Sequence, residues 1–292
     1  MSIDQIINVL VTITLIEMMV AIGLGVAIVE VANVARNWRL VVQAAVANYV
    51  LVPAVAIGLL LLFHAHPLVA AGFLLAALCP GAAYGPPFTG IAKGNVPIAV
   101  GLMVMLAGSS AIVAPLLLHV LLPITSGNEP LKIDVVNMVG TLLLTQLIPL
   151  GIGLAVRHCR PKLAERLSRP AKLLSTVLNL VTFSVIMVAQ FHLLESIKAT
   201  GFAGMLALVI ATLAIGWLLG GPGSGQRTAM GFSTGVRNVG VSLVIATASF
   251  PGTPAVTSAL AYALFQTITL ALLAVAWGRW AAAAGEGAES RA

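Results

Sequence analysis

Charge is what this sequence has least of. Only 8% of its 292 residues are Asp, Glu, Lys or Arg, where soluble chains carry roughly a quarter. With 60% hydrophobic residues and a mean hydropathy of +1.07, there are too few charges to clothe a water-facing surface, so most of the chain must be solvated by lipid. Cysteine is nearly absent as well. Cys79 and Cys159 are too few and too scattered for a disulfide framework or a thiolate metal site, and both read as reduced thiols. Aromatics make up 5% of the chain and the basic residues, spread over short gaps between apolar runs, form no patch with interleaved aromatics, so the net charge of +6 does not point to nucleic acid as a partner. No His-Glu-x-x-His and no paired intramembrane aspartates occur, which leaves an enzyme without a metal set or a carboxylate pair. A removable signal peptide is not expected either. No basic residue precedes Val29, Asp4 is acidic, and the first apolar run is long enough to cross a hydrocarbon core of about 30 Å.

What is present is a series of apolar runs separated by polar or Gly/Pro breaks. They predict an all-α integral membrane protein with nine transmembrane helices, at about 5–29, 40–63, 68–92, 95–122, 132–157, 170–195, 197–220, 226–250 and 254–280. Lys and Arg in the gaps set the orientation. With the N-terminus outside and the C-terminus inside, twelve basic residues, among them Arg157, Arg160, Lys162, Arg166, Arg169, Lys172 and Arg291, fall inside; Lys132 and Lys198 fall outside, and Arg237 lies within a span. The bacterial plasma (inner) membrane is the expected location, and lipid the main partner; no obligate protein partner and no metal or other cofactor is evident. His64 and His66 lack a third ligand.

Two of the nine spans are interrupted. The third contains Cys79-Pro80-Gly81 and Gly85-Pro86-Pro87; the eighth contains Gly231, Thr234-Gly235-Val236-Arg237-Asn238 and Gly240. Proline and glycine at membrane depth free backbone groups that lipid cannot satisfy. One such span reads as a kink. Two at matching ordinal places read as an internal duplication of 4 + 1 + 4 spans, and the single separating span makes it an inverted repeat, a pattern of secondary transporters. Half-helix ends near the midplane then offer N–H groups and partial positive charge to an anion.

Residues 74–95, LLAALCPGAAYGPPFTGIAKGN, and 228–247, TAMGFSTGVRNVGVSLVIAT, resemble the two crossover segments of the bile acid:sodium symporter family. The resemblance extends over essentially the whole chain, with the first of the family's ten helices absent. It implies one transporter domain, 1–292, made of a panel (spans about 5–29, 132–157 and 170–195) and a core (about 40–122 and 197–280). Substrate would bind between them, where the broken helices cross. The family's sodium ligands are side-chain oxygens, and aligning the motifs puts Gly85 and Pro86, Ala99 and Met103, and Ser233 and Arg237 in their places, with Asn238 unchanged. Most of the oxygens are gone.

Arg237 is then the residue to explain. It stays protonated, and a charge at bilayer depth faces a cavity, pairs with a partner or marks a pathway. The expectation is that its guanidinium stands where relatives hold sodium and helps to bind a carboxylate or sulfonate. Asn238, Ser233, Thr234, Asn48 and the amides near Ala83, Tyr84 and Gly85 complete the expected substrate site. Glu17 has two readings: an ion pair with Arg237, or a carboxyl facing the translocation cavity that carries a coupling proton. Gln146, Asn179, Gln190, Tyr262 and Gln266 are expected to make helix contacts, and glycines such as Gly23, Gly101, Gly151 and Gly153 to allow close helix packing. The function expected is secondary transport of a small or amphipathic organic anion by alternating access, coupled to protons or to no ion. A sodium-coupled organic anion symporter is the alternative, and an anion channel or binding protein a lesser one.

Overall fold

The computed structural model describes residues 2–126, 131 and 133–289, and is helical throughout apart from short turns. The elements are α1 (Ile3–Gly25), α2 (Ile28–Arg36), α3 (Trp38–Val46), which runs through a π-helical turn (Ala47–Leu51) into α4 (Val52–Leu62), α5 (Pro67–Leu78), α6 (Gly85–Ile91) and α7 (Val96–Ser126). The second half holds α8 (Val135–Leu142), which passes through a second π-helical turn (Leu143–Leu147) into α9 (Ile148–Cys159), then α10 (Pro161–Ala189), α11 (Phe191–Glu195), α12 (Ala199–Leu219), α13 (Ser224–Gly235), α14 (Val239–Ser249) and α15 (Pro254–Glu289). Eight stretches among the described residues are long and apolar enough to cross a bilayer, and the chain is an integral membrane protein. The third expected span does not meet that length. It is the pair α5 and α6, of 12 and 7 residues, joined by a non-helical segment.

Several boundaries differ from expectation, the sixth helix ending early at Ala189 and the last running on to Glu289. The first long helix stops at Gly25, where Val26 turns extended, and α2 follows separately. The sixth begins at Pro161 and not near 170, because proline fits the first turn of a helix and the basic segment after it continues as regular helix. Lys132 and Arg291 lie outside the described residues.

Both expected interruptions are present, and each follows from its sequence. After Leu78 the chain leaves the helix at Cys79. Pro80 has no amide hydrogen to carry a helix onward, and Gly81 adopts φ +86°, a conformation that costs glycine little. Prolines at the start of α6 suit its first turn. In the eighth span α13 ends at Gly235 and Val236 is extended; the Asn238 side chain then caps α14 by accepting the Val241 amide at 3.3 Å.

The two π-helical turns share a cause. Each precedes an X-Pro pair, Val52-Pro53 and Ile148-Pro149, and the amides of Val52 and Ile148 reach back five residues to Ala47 and Leu143. A proline ring collides with the carbonyl four residues earlier, and one wide turn relieves the collision without ending the helix.

Helix α1 packs on α9 and α10, and also touches α14; α5 packs on α15 and α7, and α13 on α12, α6 and α7. The α1–α9 contact is backbone against backbone. A Cβ built on Gly23 would lie 2.5 Å from the Leu150 carbonyl oxygen, and one on Gly153 2.5 Å from that of Val20. Gly101 is equally tight, against Val34, whereas Gly151 faces open space and does not serve helix packing.

Candidate functional site

The two interruptions touch. The Asn238 amide donates to the Cys79 carbonyl at 2.6 Å, and its side-chain Nδ2 to the Gly81 carbonyl at 3.3 Å. From the other side Gln266 of α15 holds the Arg237 peptide at both ends: its Oε1 accepts the Arg237 amide and its Nε2 donates to the Arg237 carbonyl, each at 3.0 Å. Backbone freed by the interruption of the eighth span is thereby satisfied within protein, the condition for irregular chain at membrane depth. Gly81 is wedged beneath this contact. A Cβ there would fall 2.2 Å from the Ala107 nitrogen of α7.

Arg237 points inward and is 1% exposed. Its Nη2 donates to Asn48 Oδ1 at 2.9 Å and to the Thr234 carbonyl, and its Nη1 to the Ala77 carbonyl at 3.3 Å. Asn48 is itself fixed, since its Nδ2 donates to the Ala44 carbonyl at 2.9 Å and to Thr234 Oγ1 at 3.3 Å. Nε has no partner among the described residues. Every acceptor on the guanidinium is thus a neutral oxygen. Such oxygens solvate a cation but do not cancel it, so the charge stays uncompensated in a medium of low dielectric, where its field is strong.

The structure therefore brings Arg237, Asn238, Asn48 and Thr234 together. Ser233 is buried with a hydroxyl lacking a partner, and its Cα lies 3.7 Å from where a Gly85 Cβ would stand. Ala83 is half-buried and Tyr84 is 38% exposed, stacked on Phe88. The Gly85 amide is already given to the Ala82 carbonyl at 3.2 Å, so it is not free for an anion as expected. Glu17 is half-buried on α1 with Oε2 unpartnered. The ion pair with Arg237 does not form: the guanidinium is taken up by three oxygens nearer to it in the fold, and Glu17 lies on a helix packed against α9 and α10. No group of three or more His, Cys, Asp or Glu among the described residues is placed to hold a metal ion.

Sequence reasoning missed two contributors. Gln266 was read only as a helix contact, and the Ala77 carbonyl carries no signal in its side chain. Gln266 is the more informative omission, for a glutamine at span depth must find donors and acceptors, and an interrupted helix is where they are to spare. A cavity of about 130 Å³ lies between α8 and the C-terminal half of α14, lined by Asn137 and Thr141 on one side and Val244, Ile245 and Ala248 on the other, and none of the residues of the crossing lines it.

Two interrupted helices in contact inside a bundle of long apolar helices define a polytopic membrane protein whose irregular backbone is gathered in its interior. The particular family is shown by comparison with known proteins: the chain belongs to the Sodium Bile acid symporter family, a family of transporters, whose model matches residues 12–197. It is also 26% identical over 256 residues, covering 84% of this chain and 75% of the relative, to a Bacillus subtilis (strain 168) protein described as "Uncharacterized sodium-dependent transporter YocS".

Proposed function

We propose that the protein is a secondary active transporter of an organic anion in which the Arg237 guanidinium is a resident cation, replacing the sodium that family members import. The observation that carries this reading is a fully buried arginine with neutral acceptors alone. Three oxygens from α5, α13 and the first π-helical turn surround it much as they would surround a metal ion. The positive end of α14 adds to the same field. An anion approaching the crossing gains from both, with Asn238 and Ser233 nearest along the chain and Nε the donor without a partner.

Alternating access would move a core (spans about 40–122 and 197–280) against a panel formed by α1, α8–α9 and α10, the two halves being an inverted repeat. Coupling falls to Glu17 and a proton, or to no ion. A sodium-coupled symporter is the second reading, favoured by the printed description of the Bacillus relative as sodium-dependent.

The test is uptake of small carboxylates and steroid acids into liposomes with sodium or choline outside, with and without a pH gradient. Equal uptake in the two salts, lost in Arg237→Gln, is the expected result. A steep sodium requirement in correctly inserted protein would refute the resident-cation reading.

A further inference from the structure

The basic residues are not evenly spread. Six of them, Arg157, Arg160, Lys162, Arg166, Arg169 and Lys172, stand against Glu165 alone within residues 157–172. That segment holds a net charge of +5 out of +6 for the whole chain. Orientation in the membrane accounts for their number on one side. It does not account for their arrangement.

Helix α10 has 29 residues, about 43 Å of helix against about 30 Å of hydrocarbon. Its first turns therefore extend into the headgroup layer. There the helix has three faces. Ala164 is buried and Ser168 and Ala171 half-buried, so this row packs on the protein. Opposite it stand Lys162, Arg166 and Arg169 at helical spacing, all exposed. Between the two runs a flank of Leu163, Leu167 and Leu174, 47%, 42% and 51% exposed. The N-cap, Arg160, makes no side-chain cap, and no acidic residue occupies the first turn. Cations there work against the helix dipole and gain from an anion beside them; the first amides offer no place for one, since Pro161 has no N–H and those of Leu163 and Ala164 donate to the Arg160 carbonyl at 3.0 Å.

We infer that the first turns of α10 form a binding face for anionic phospholipid headgroups. The side chains of Lys162, Arg166 and Arg169 take the phosphates, Arg in bidentate fashion, while the leucine flank enters the acyl boundary. Exposed leucines beside the basic ridge suit a lipid leaflet; an acidic soluble protein would leave them in water. The face is separate from the crossing, and the inference stands whether or not Arg237 serves an anion.

Full-length protein in nonionic detergent is titrated with phosphatidylglycerol and, separately, phosphatidylcholine, reading the midpoint of thermal unfolding. Apparent affinity for phosphatidylglycerol should exceed that for phosphatidylcholine and fall roughly a hundredfold in Lys162→Gln/Arg166→Gln/Arg169→Gln, while Lys162→Arg/Arg166→Lys/Arg169→Lys keeps the preference. Equal response to the two lipids in the native chain overturns the assignment, as does a preference undiminished in the glutamine variant. Inorganic phosphate or soluble polyglutamate reproducing the full shift would overturn it too, pointing to a simple ion site or an acidic protein partner.

Discussion

Among the described residues Asn48 is the one side chain that accepts a hydrogen bond from the Arg237 guanidinium, and it offers a way to alter the charge of the site without emptying it. Asn48→Asp keeps the size and the acceptor but supplies a negative charge, turning a lone cation into an ion pair. Binding of an organic anion, read by thermal shift or direct titration, should weaken at least about tenfold, while the unfolding midpoint holds or rises. A loss of affinity together with a fall in stability would mean that Asn48 acts only through packing. Glu17 belongs to the same scale. If it carries the coupling proton, Glu17→Gln makes uptake indifferent to a pH gradient while exchange of anion across the membrane continues; gradient-driven uptake that persists in this variant removes Glu17 from the mechanism. The chemistry of both residues was legible in the sequence because charges and amides are rare at span depth. Their partners were not. A main-chain carbonyl such as that of Ala77 leaves no trace in residue type, and the choice between Glu17 and neutral oxygens as company for Arg237 depends on helix rotation, which a largely apolar chain does not record.

Among elements, the interrupted helices depend on a few neighbours. Gln266→Leu would leave the Arg237 amide and carbonyl without partners in an apolar interior, at a cost of about 1–3 kcal/mol for each buried group. The unfolding midpoint in detergent should fall sharply, and far less in Gln190→Leu, where the amide oxygen accepts a single bond from Thr257. Gly81→Ala should be worse still. The new methyl would overlap the Ala107 backbone and force a side-chain-bearing residue to φ +86°, so little folded protein is expected on size exclusion. These interruptions were readable from Pro and Gly clusters, and the structure places both where the sequence put them. The separate α2 and the early start of α10 were not readable, since polar residues near a membrane surface suit helix and loop alike.

For the molecule as a whole, the two cysteines are convenient reporters. Cys79 is buried and Cys159 exposed, at the end of α9 beside the basic segment. With the N-terminus outside, an impermeant maleimide should label Cys159 only in permeabilised cells and leave Cys79 untouched; labelling of intact cells would reverse the orientation deduced from the basic residues. The membrane class, the family and the paired interruptions were all within reach of the sequence. How the helices are grouped was not, for contacts such as Gly23 on Gly153 pair glycines that differ in no visible way from Gly151, where an added Cβ would meet open space.

The two wide turns ahead of Pro53 and Pro149 also govern which insertions and deletions the chain can tolerate. Each holds one residue more than regular pitch requires, so excising a lipid-facing residue there, Val50 or Leu144, costs almost no contact in itself. It returns the turn to regular pitch and leaves the faces on either side nearly in register, Asn48 with α4 in one rod and Gln146 with α9 in the other. The same excision from regular helix elsewhere in these rods would swing one side of the cut by about 100° relative to the other. Sequences related to this one should therefore change in length at these two turns more readily than along the rest of either rod.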